Sequence, residues 1–338
     1  MSDAIRHYTN EFRSRRDISP YDAEFVFDAI VTEEHEDLLT EFLMAWAKKG
    51  ATEDEIFRFA KIFRDRMERI DPRGLECVDI VGTGGSSTKT FNVSTAAAFV
   101  VAGAGIPVAK HGNKAATSSS GSADALTTIG IKVDVAPQRA EDDLHKHGIC
   151  FMFAPRHHAL STTLARARKR VGAPTIFNLL GPLCNPASAQ HQLIGVWDER
   201  LRLKMARVLF RLGTKWSWIV NSIGSFDEIG LAGVTRVVDI DRDGVETIEV
   251  TAADFGIDDE GDIPRDLSPL ESASLIIDIL ANAKADSAPE RLVLVNAAAA
   301  ILIAGKASDL ASAYSIAAES IRSGAAFDKL TALRGEKK

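Results

Sequence analysis

Five stretches of the sequence have residue types and spacing suited to chemistry, and each also has a plainer use. Gly82-Thr83-Gly84-Gly85-Ser86-Ser87 follows a short β-branched run and is followed by Asn92-Val93-Ser94-Thr95. Clustered glycines let backbone N–H groups approach an anion, and a helix opening just afterwards adds the partial positive charge of its N-terminus. The glycine order fits neither the dinucleotide fingerprint nor the lysine-ending phosphate loop, and a tight turn uses the same residues. In Ala109-Lys110-His111-Gly112-Asn113-Lys114, Lys110 can meet a phosphate as a point charge and Asn113 can donate to a carboxylate or ribose hydroxyl. A solvated turn would look similar. Thr117-Ser118-Ser119-Ser120-Gly121-Ser122-Ala123-Asp124 sets five hydroxyls around one glycine ahead of a helix, with Ser122 as its N-cap. Three such cradles at successive strand-to-helix turns suit a substrate with several phosphates.

Asp227-Glu228 stands near a strand end, where a solvent-facing acidic pair can hold Mg²⁺ against substrate phosphates or merely decorate a surface. Phe153-Ala154-Pro155-Arg156-His157-His158 is followed by Arg166, Arg168, Lys169 and Arg170. One fixed arginine would fork onto a carboxylate; most of this run reads as a solvated helix face. Adjacent histidines with no third ligand at helical spacing argue poorly for zinc.

These segments need a scaffold, and the pattern around them supplies one. Up to residue 70 the chain reads as helices only. Ser19-Pro20 predicts the opening of one, Leu39, Phe42, Leu43 and Trp46 form the stripe of a second that stops at Gly50, and Thr52 with Glu55 forms a capping box for a third carrying Ile56, Phe59, Ala60, Phe63 and Met67. After the joint Asp71-Pro72-Arg73-Gly74, short apolar runs alternate with helical stretches. Strands are expected at Val78–Val81, Ile106–Ala109, Ile131–Val135, Cys150–Phe153, Leu193–Trp197 and Trp218–Val220, with an antiparallel edge hairpin at Arg236–Ile240 and Val245–Val250 around Asp243-Gly244. Helices return after Pro269. The fold class is therefore α/β: a small N-terminal helical domain and a larger α/β domain with a mostly parallel central sheet.

Composition narrows the partners. Among 338 residues, 40 basic against 47 acidic side chains give a net charge of −7, the wrong sign for a nucleic-acid binder. The longest apolar run, Leu292 to Ala304, is broken by Asn296 and too short to span a bilayer. Cys77, Cys150 and Cys184 form no metal knuckle or redox pair, and the N-terminus lacks a secretory apolar core, so a cytoplasmic protein is expected.

The motifs Gly82-Thr83-Gly84-Gly85, Asn92-Val93-Ser94-Thr95, Lys110-His111-Gly112-Asn113, Ser120-Gly121-Ser122-Ala123-Asp124, Phe177-Asn178-Leu179-Leu180-Gly181-Pro182 and Asp227-Glu228 occur in the order of one family. From end to end the chain resembles the anthranilate phosphoribosyltransferases of tryptophan synthesis. The resemblance implies transfer of the phosphoribosyl group of phosphoribosyl diphosphate (PRPP) to the amine of anthranilate with release of diphosphate, and a fold shared with nucleoside phosphorylases. It implies PRPP contacts at Gly82, Gly85, Ser86, Thr90, Asn92, Val93, Ser94, Thr95, Lys110, His111, Gly112, Asn113, Lys114, Ser118 and Ser122. Anthranilate contacts are implied at Gly82, Asn113, His158 and Arg168, and Mg²⁺ positions at Ser94, Asp227 and Glu228. No general base is implied. The expected division is a helical domain over 1–72, joined by part of 170–190, and a catalytic domain over 73–338. A homodimer through exposed Phe and Trp of the first helices is implied as well.

Four positions depart from the family pattern: Ser86 stands where aspartate is usual, Ser119 for lysine, Ala159 for proline and Pro174 for arginine. A related phosphoribosyltransferase or nucleoside phosphorylase acting on another aromatic amine or base is the alternative, and a nucleic-acid-binding paralogue is a third reading that the acidic balance opposes.

Overall fold

The computed structural model describes residues 2–86, 88, 90–114, 121–158, 160–258 and 261–335. Four helices come first: α1 (Ser2–Arg13), α2 (Ala23–Thr32), α3 (Glu36–Lys49) and α4 (Glu53–Arg66). The capping box forms as the sequence predicts, the Thr52 hydroxyl accepting from Glu55 N–H at 3.2 Å and the Glu55 carboxylate accepting from Thr52 N–H at 2.8 Å. The same buried carboxylate accepts from Ile18 N–H at 2.9 Å, from Lys49 Nζ at 2.8 Å and from Trp46 Nε1 at 3.3 Å. One side chain thus ties α3, α4 and the link before α2 together.

Two expectations change here. Ser19-Pro20 does not open a helix. The Ser19 carbonyl accepts from Asp22 N–H and its hydroxyl from Tyr21 N–H, so the pair closes a turn and α2 starts at Ala23. Trp46 is not an exposed interface residue either. It is 2% exposed, stacked on Phe12 at 5.1 Å between ring centroids, and Phe42 is buried beside it. The large exposed apolar side chains of these helices and their links are Tyr21, Phe25 and Met44.

The α/β part runs β1 (Val78–Gly82), α5 (Val93–Gly103), β2 (Val108–Gly112), α6 (Ser122–Ile129), α7 (Pro137–His147), β3 (Ile149–Phe153), α8 (Ala154–His157), α9 (Thr162–Val171), α10 (Ile176–Leu183), β4 (His191–Gly195), α11 (Arg200–Arg211), β5 (Trp216–Ser222), β6 (Thr235–Ile240) and β7 (Val245–Val250). It closes with α12 (Pro269–Leu280), α13 (Ala288–Ile303), α14 (Leu310–Arg322) and α15 (Ala325–Arg334). Among the described residues the strands make one sheet in the order β3-β2-β1-β4-β5-β6-β7. Its first five members are parallel, while β6 and β7 form the expected antiparallel hairpin at the edge. Ile131–Val135 is not a strand: it is the irregular link between α6 and α7, bent at Asp134, and its apolar alternation buries Ile131 and Val133 without ladder partners.

Connections move one way from β1 to β3 and the other way from β4 onward, so the order reverses between β1 and β4. In open parallel sheets this crevice, at the carboxyl ends, is where ligands bind. Alternate strand residues feed cores on both faces. Ile80, Val108, Leu193 and Val220 pack with α5 and α13, whereas Ile194, Ile219 and Val238 join α11 and the helical unit. That second core also holds Leu164 and Ala167 of α9 and Ile176, Phe177, Leu180 and Leu183 of α10, so the chain returns to the first helices over 162–183.

Glu55 and Lys49 are each 3% exposed in the side chain. Replacing Glu55 by Ala strips the buried ammonium of that partner and leaves the Ile18 and Thr52 amides unpaired. Lys49 Nζ also donates to the exposed Asp17 at 2.6 Å. The expected loss in urea-unfolding free energy is about 3–5 kcal/mol, and a loss below about 1 kcal/mol would show that Asp17 alone satisfies Lys49.

Candidate active site

A cavity of about 410 Å³ lies at the carboxyl edge of the sheet, walled by the glycine loop after β1, the Lys110–Lys114 segment that ends β2 and runs past it, the acidic turn after β5, and α4, α9 and α10. Missing side chains make it possible. A Cβ on Gly195, at the end of β4, would sit 1.6 Å from the Asp227 carbonyl oxygen, and one on Gly82 would lie 3.1 Å from Asp227 Oδ2. The acidic turn therefore crosses the ends of β1 and β4 because both end in glycine. A Cβ on Gly112 would similarly meet Ser122 Oγ at 2.2 Å.

Asp227 and Glu228 are drawn out of bulk water rather than facing it, which corrects the surface picture drawn from sequence. Burial pushes the Asp227 carboxyl up to about 6, against the Ser86 hydroxyl that favours its charge. Glu228 is pushed up to about 8 by burial and then by the neighbouring Asp227, opposed by Lys110 and the Ser94 N–H. That N–H belongs to the first turn of α5, whose dipole favours an anion there. Lys110 is 4% exposed; its ammonium donates to the Ile80 carbonyl and lies 3.4 Å from Ser94 Oγ. Beneath it Asp79, fully buried and raised to about 6 by burial, accepts from His111 N–H at 3.2 Å and Asn185 Nδ2 at 2.8 Å. Ser86 and Thr88 hydroxyls donate to the carbonyls of Ser225 (2.8 Å) and Gly224 (2.9 Å), clasping the glycine loop to the acidic turn.

Two carboxylates short of positive charge, next to the Ser94 hydroxyl, form the hard oxygen donor set that Mg²⁺ takes together with phosphate oxygens. Among the described residues no group of three or more His, Cys, Asp or Glu is placed to hold a metal, so a cation here would complete its shell from substrate and water.

A second region of the cavity is aromatic. His158 stacks on Phe63 at 4.6 Å, and its Nε2 lies 3.2 Å from His111 Nε2, while His111 Nδ1 is 3.1 Å from the Gly181 carbonyl. With the His111 Nδ1 proton directed at that carbonyl, its Nε2 accepts from His158 when His158 carries its proton on Nε2, a tautomer that leaves the buried His158 Nδ1 without a partner among the described residues. Burial, then the neighbouring His157, lowers His158 to about 4; burial first, then His158, lowers His111. Arg168 holds its guanidinium 5.2 Å from the Phe177 ring centroid, lowered by burial to about 10 and still cationic at neutral pH. It has no hydrogen bond or ion pair among the described residues. Arg166 pairs with Glu36 and Arg170 with Asp37, both in the open. His157 turns away to the Glu68 carbonyl at 2.7 Å.

Of the residues singled out by sequence, Gly82, Gly85, Ser86, Thr90, Asn92, Ser94, Lys110, His111, Gly112, Asn113, Lys114, Ser122, His158, Arg168, Asp227 and Glu228 line this one cavity. Val93 and Thr95 do not: they are buried on the inner face of α5, where helical spacing turns them from Ser94. Ser118, with the rest of 115–120, and Ala159 lie outside the described residues. Ser122 is not the N-cap of α6. Gly121 is, its N–H bonded to Asp124 at 2.9 Å, and the Ser122 hydroxyl points to the Asn113 carbonyl at 3.4 Å. Sequence reading missed Phe63 and Thr88 as lining residues, and it gave no role to Asn178, which it met only as part of a family motif. Phe63 sat in a core stripe and is indeed 6% exposed, so no local signal marks its second role.

Known proteins share this layout. The family model described as glycosyl transferase family, helical bundle domain, matches residues 6–67, and that of the glycosyl transferase family, a/b domain, matches residues 74–327. An anthranilate phosphoribosyltransferase of Halalkalibacterium halodurans is 39% identical over 314 residues, 92% of each chain. The crystal structure of the Thermus thermophilus anthranilate phosphoribosyltransferase superposes with a TM-score of 0.85 at 31% identity, covering 97% of this chain and 99% of that one. The Saccharomyces cerevisiae enzyme in complex with PRPP and Mg gives 0.86 at 26% identity, over 98% and 97%.

The depressed His158 makes a stability prediction. Unfolding raises its affinity for protons from about 4 toward the ordinary 6.5, so its contribution is complete above pH 6.5 and erodes as pH falls toward 4, by about 1.4 kcal/mol per pH unit at most. Urea midpoints of the wild type should drop more steeply between pH 6.5 and 4.5 than those of His158→Asn. Equal slopes would show that His158 titrates normally in the native state.

Proposed function

Belonging as it does to the anthranilate phosphoribosyltransferases, the chain transfers the phosphoribosyl group of PRPP to the amine of anthranilate in tryptophan synthesis, and we propose that the sheet-edge cavity carries out this step. The observation that supports this most is the company Arg168 keeps: a half-buried guanidinium on an aromatic ring, unpaired among the described residues, sharing one cavity with a half-buried acidic pair and a glycine loop. A phosphate-only site would not need it, whereas an aromatic carboxylate fits it by fork and stacking together.

The reaction breaks the bond from ribose C1 to the diphosphate oxygen and forms one from C1 to the anthranilate nitrogen. Diphosphate leaves with the electron pair, and the nitrogen then gives up a proton. Positive charge develops on the ribose ring and negative charge on the leaving group, so catalysis is positional and electrostatic. Mg²⁺, bound by Asp227 and Glu228 beside Ser94, would neutralise the departing diphosphate. The N–H groups of Gly84 to Ser86, the start of α5 at Ser94 and the Lys110 ammonium hold the phosphate groups. Asn113 and Gly82 border both substrates, His111 and His158 form a neutral wall, and Arg168 orients the acceptor carboxylate. The aromatic amine is a nucleophile when neutral, and no residue is assigned as general base.

We also assign the helical domain to residues 1–72 with helical residues of 170–190, and the catalytic domain to 73–338. The chain acts in the cytoplasm as a homodimer through the helical domain, where Tyr21, Phe25 and Met44 offer apolar surface; among the described residues no helix is long and apolar enough to cross a membrane.

Anthranilate fluorescence should fall only with PRPP and Mg²⁺ both present. Changing Asp227 and Glu228 together to alanine should abolish turnover while leaving the metal-free protein no less stable to heat, since two half-buried acids held unfavourably close together are removed. Near-normal activity at saturating PRPP would sink the metal assignment. Arg168→Ala should lower kcat/KM for anthranilate roughly ten- to a hundredfold, as expected for losing about 1.5–3 kcal/mol of charge-assisted binding, with the PRPP KM nearly unchanged. Arg166→Ala and Arg170→Ala should do little. Equal effects at all three, or unaltered turnover when aniline replaces anthranilate, would reject the carboxylate fork.

A further inference from the structure

Asn296 is the one polar break in the apolar stretch Leu292–Ala304, and it is 0% exposed inside α13. A buried amide is costly unless every group is bonded. Its Oδ1 accepts from the Ile229 N–H at 2.9 Å, and its Nδ2 donates to the Ile229 carbonyl at 3.0 Å and to the Leu292 carbonyl at 2.9 Å. Both amide hydrogens are used. For Ile229, which belongs to no strand or helix, the side chain supplies the pair of bonds that a neighbouring strand would otherwise give.

Ile229 directly follows Glu228. From the other side the Ser222 hydroxyl donates to the Glu228 carbonyl at 2.6 Å and accepts from Gly230 N–H at 3.0 Å. Three consecutive residues of an irregular segment are thus held at their backbones, at and immediately after the second carboxylate. We propose that Asn296 is a positioning residue that fixes the acidic turn and thereby sets the affinity of Asp227 and Glu228 for a divalent cation. The inference rests on the reading of that pair as the metal site.

Two adjacent carboxyls held away from water are each better solvated if the turn swings outward. The anchors at Ile229 and Glu228 prevent this, so the two stay side by side before any cation arrives. Release the anchor and a cation must first gather its ligands. Residues behind metal ligands typically alter affinity by about 10–100-fold.

The probe is Mn²⁺, titrated in the presence of PRPP with free Mn²⁺ followed by its electron paramagnetic resonance. Asn296→Leu, which keeps the volume and fills the core, should weaken Mn²⁺ binding roughly tenfold or more. Ile301→Val, a buried change in the same helix, should lower stability and leave Mn²⁺ binding unaltered. If Asn296→Leu does not fold, Ser222→Ala tests the same anchor from the other side with the same expected weakening. Mn²⁺ affinity within about twofold of wild type in the folded anchor variant, or equal weakening in Ile301→Val, overturns the inference. The Asp227→Ala, Glu228→Ala double variant separates the two claims. Loss of Mn²⁺ there with retention in Asn296→Leu removes only the anchoring role, whereas wild-type binding in the double variant removes the metal reading beneath it.

Discussion

Asp227, Glu228 and Lys110 lie out of bulk water at the end of a parallel sheet, and much of the surrounding structure follows from keeping those charges there. Each would be better hydrated in the open. The α5 N-terminus favours Glu228, Asp79 stabilises Lys110 from below, and Asn185 in turn holds Asp79. The glycines ending β1 and β4 admit the acidic turn to the crevice, since any side chain at Gly195 would collide with the Asp227 backbone. The compensation among them is incomplete, which suits the proposed occupants, an anionic substrate and its cation.

The departures from the family pattern become intelligible against this arrangement. Ser86 replaces a charged residue with a hydroxyl that joins the glycine loop to the Ser225 carbonyl. The chain thus has one fewer negative charge in an already crowded acidic region. Pro174 lies where a Cβ on Gly85 would meet it at 2.9 Å, so a rigid ring packs against the loop where the family usually has a long cation. No described contact explains Ala159 or Ser119.

The sheet and the motifs at its edge were legible because they depend on short-range patterns: β-branched runs, glycines after strands, and a Thr-x-x-Glu box. The alternation at Ile131 to Val135 has the same look as a strand, and only the absence of a neighbouring strand tells it apart. Ser19-Pro20 has the composition of a helix start, yet the Ser19 carbonyl turns the chain onto Asp22 first. The phase of α5 explains why Ser94 faces the cavity and Val93 and Thr95 do not, a distinction that motif matching ignores. Asn296 was visible as a blemish in an apolar run, but its partner lies 67 residues away, and no local signal points there. Likewise Arg168 differs from Arg166 and Arg170 only in which way α9 is rotated: its neighbours find acids on α3, and it finds the Phe177 ring.

The return of α9 and α10 to the first helices has a bearing on how the chain acquires its shape. Arg64 on α4 donates to the Leu183 carbonyl at 2.7 Å across 119 residues, and Leu164, Phe177 and Leu180 complete the core begun by Phe27, Phe59 and Phe63. On a ribosome the amino-terminal helices are finished long before those partners emerge. Until then they expose the apolar surface that α9 and α10 will cover. Closing so long a loop is entropically slow relative to local helix formation. The helical part is therefore first in synthesis without being first to mature, and its completion waits on the passage of β1, β2 and β3, whose ends carry much of the cavity wall.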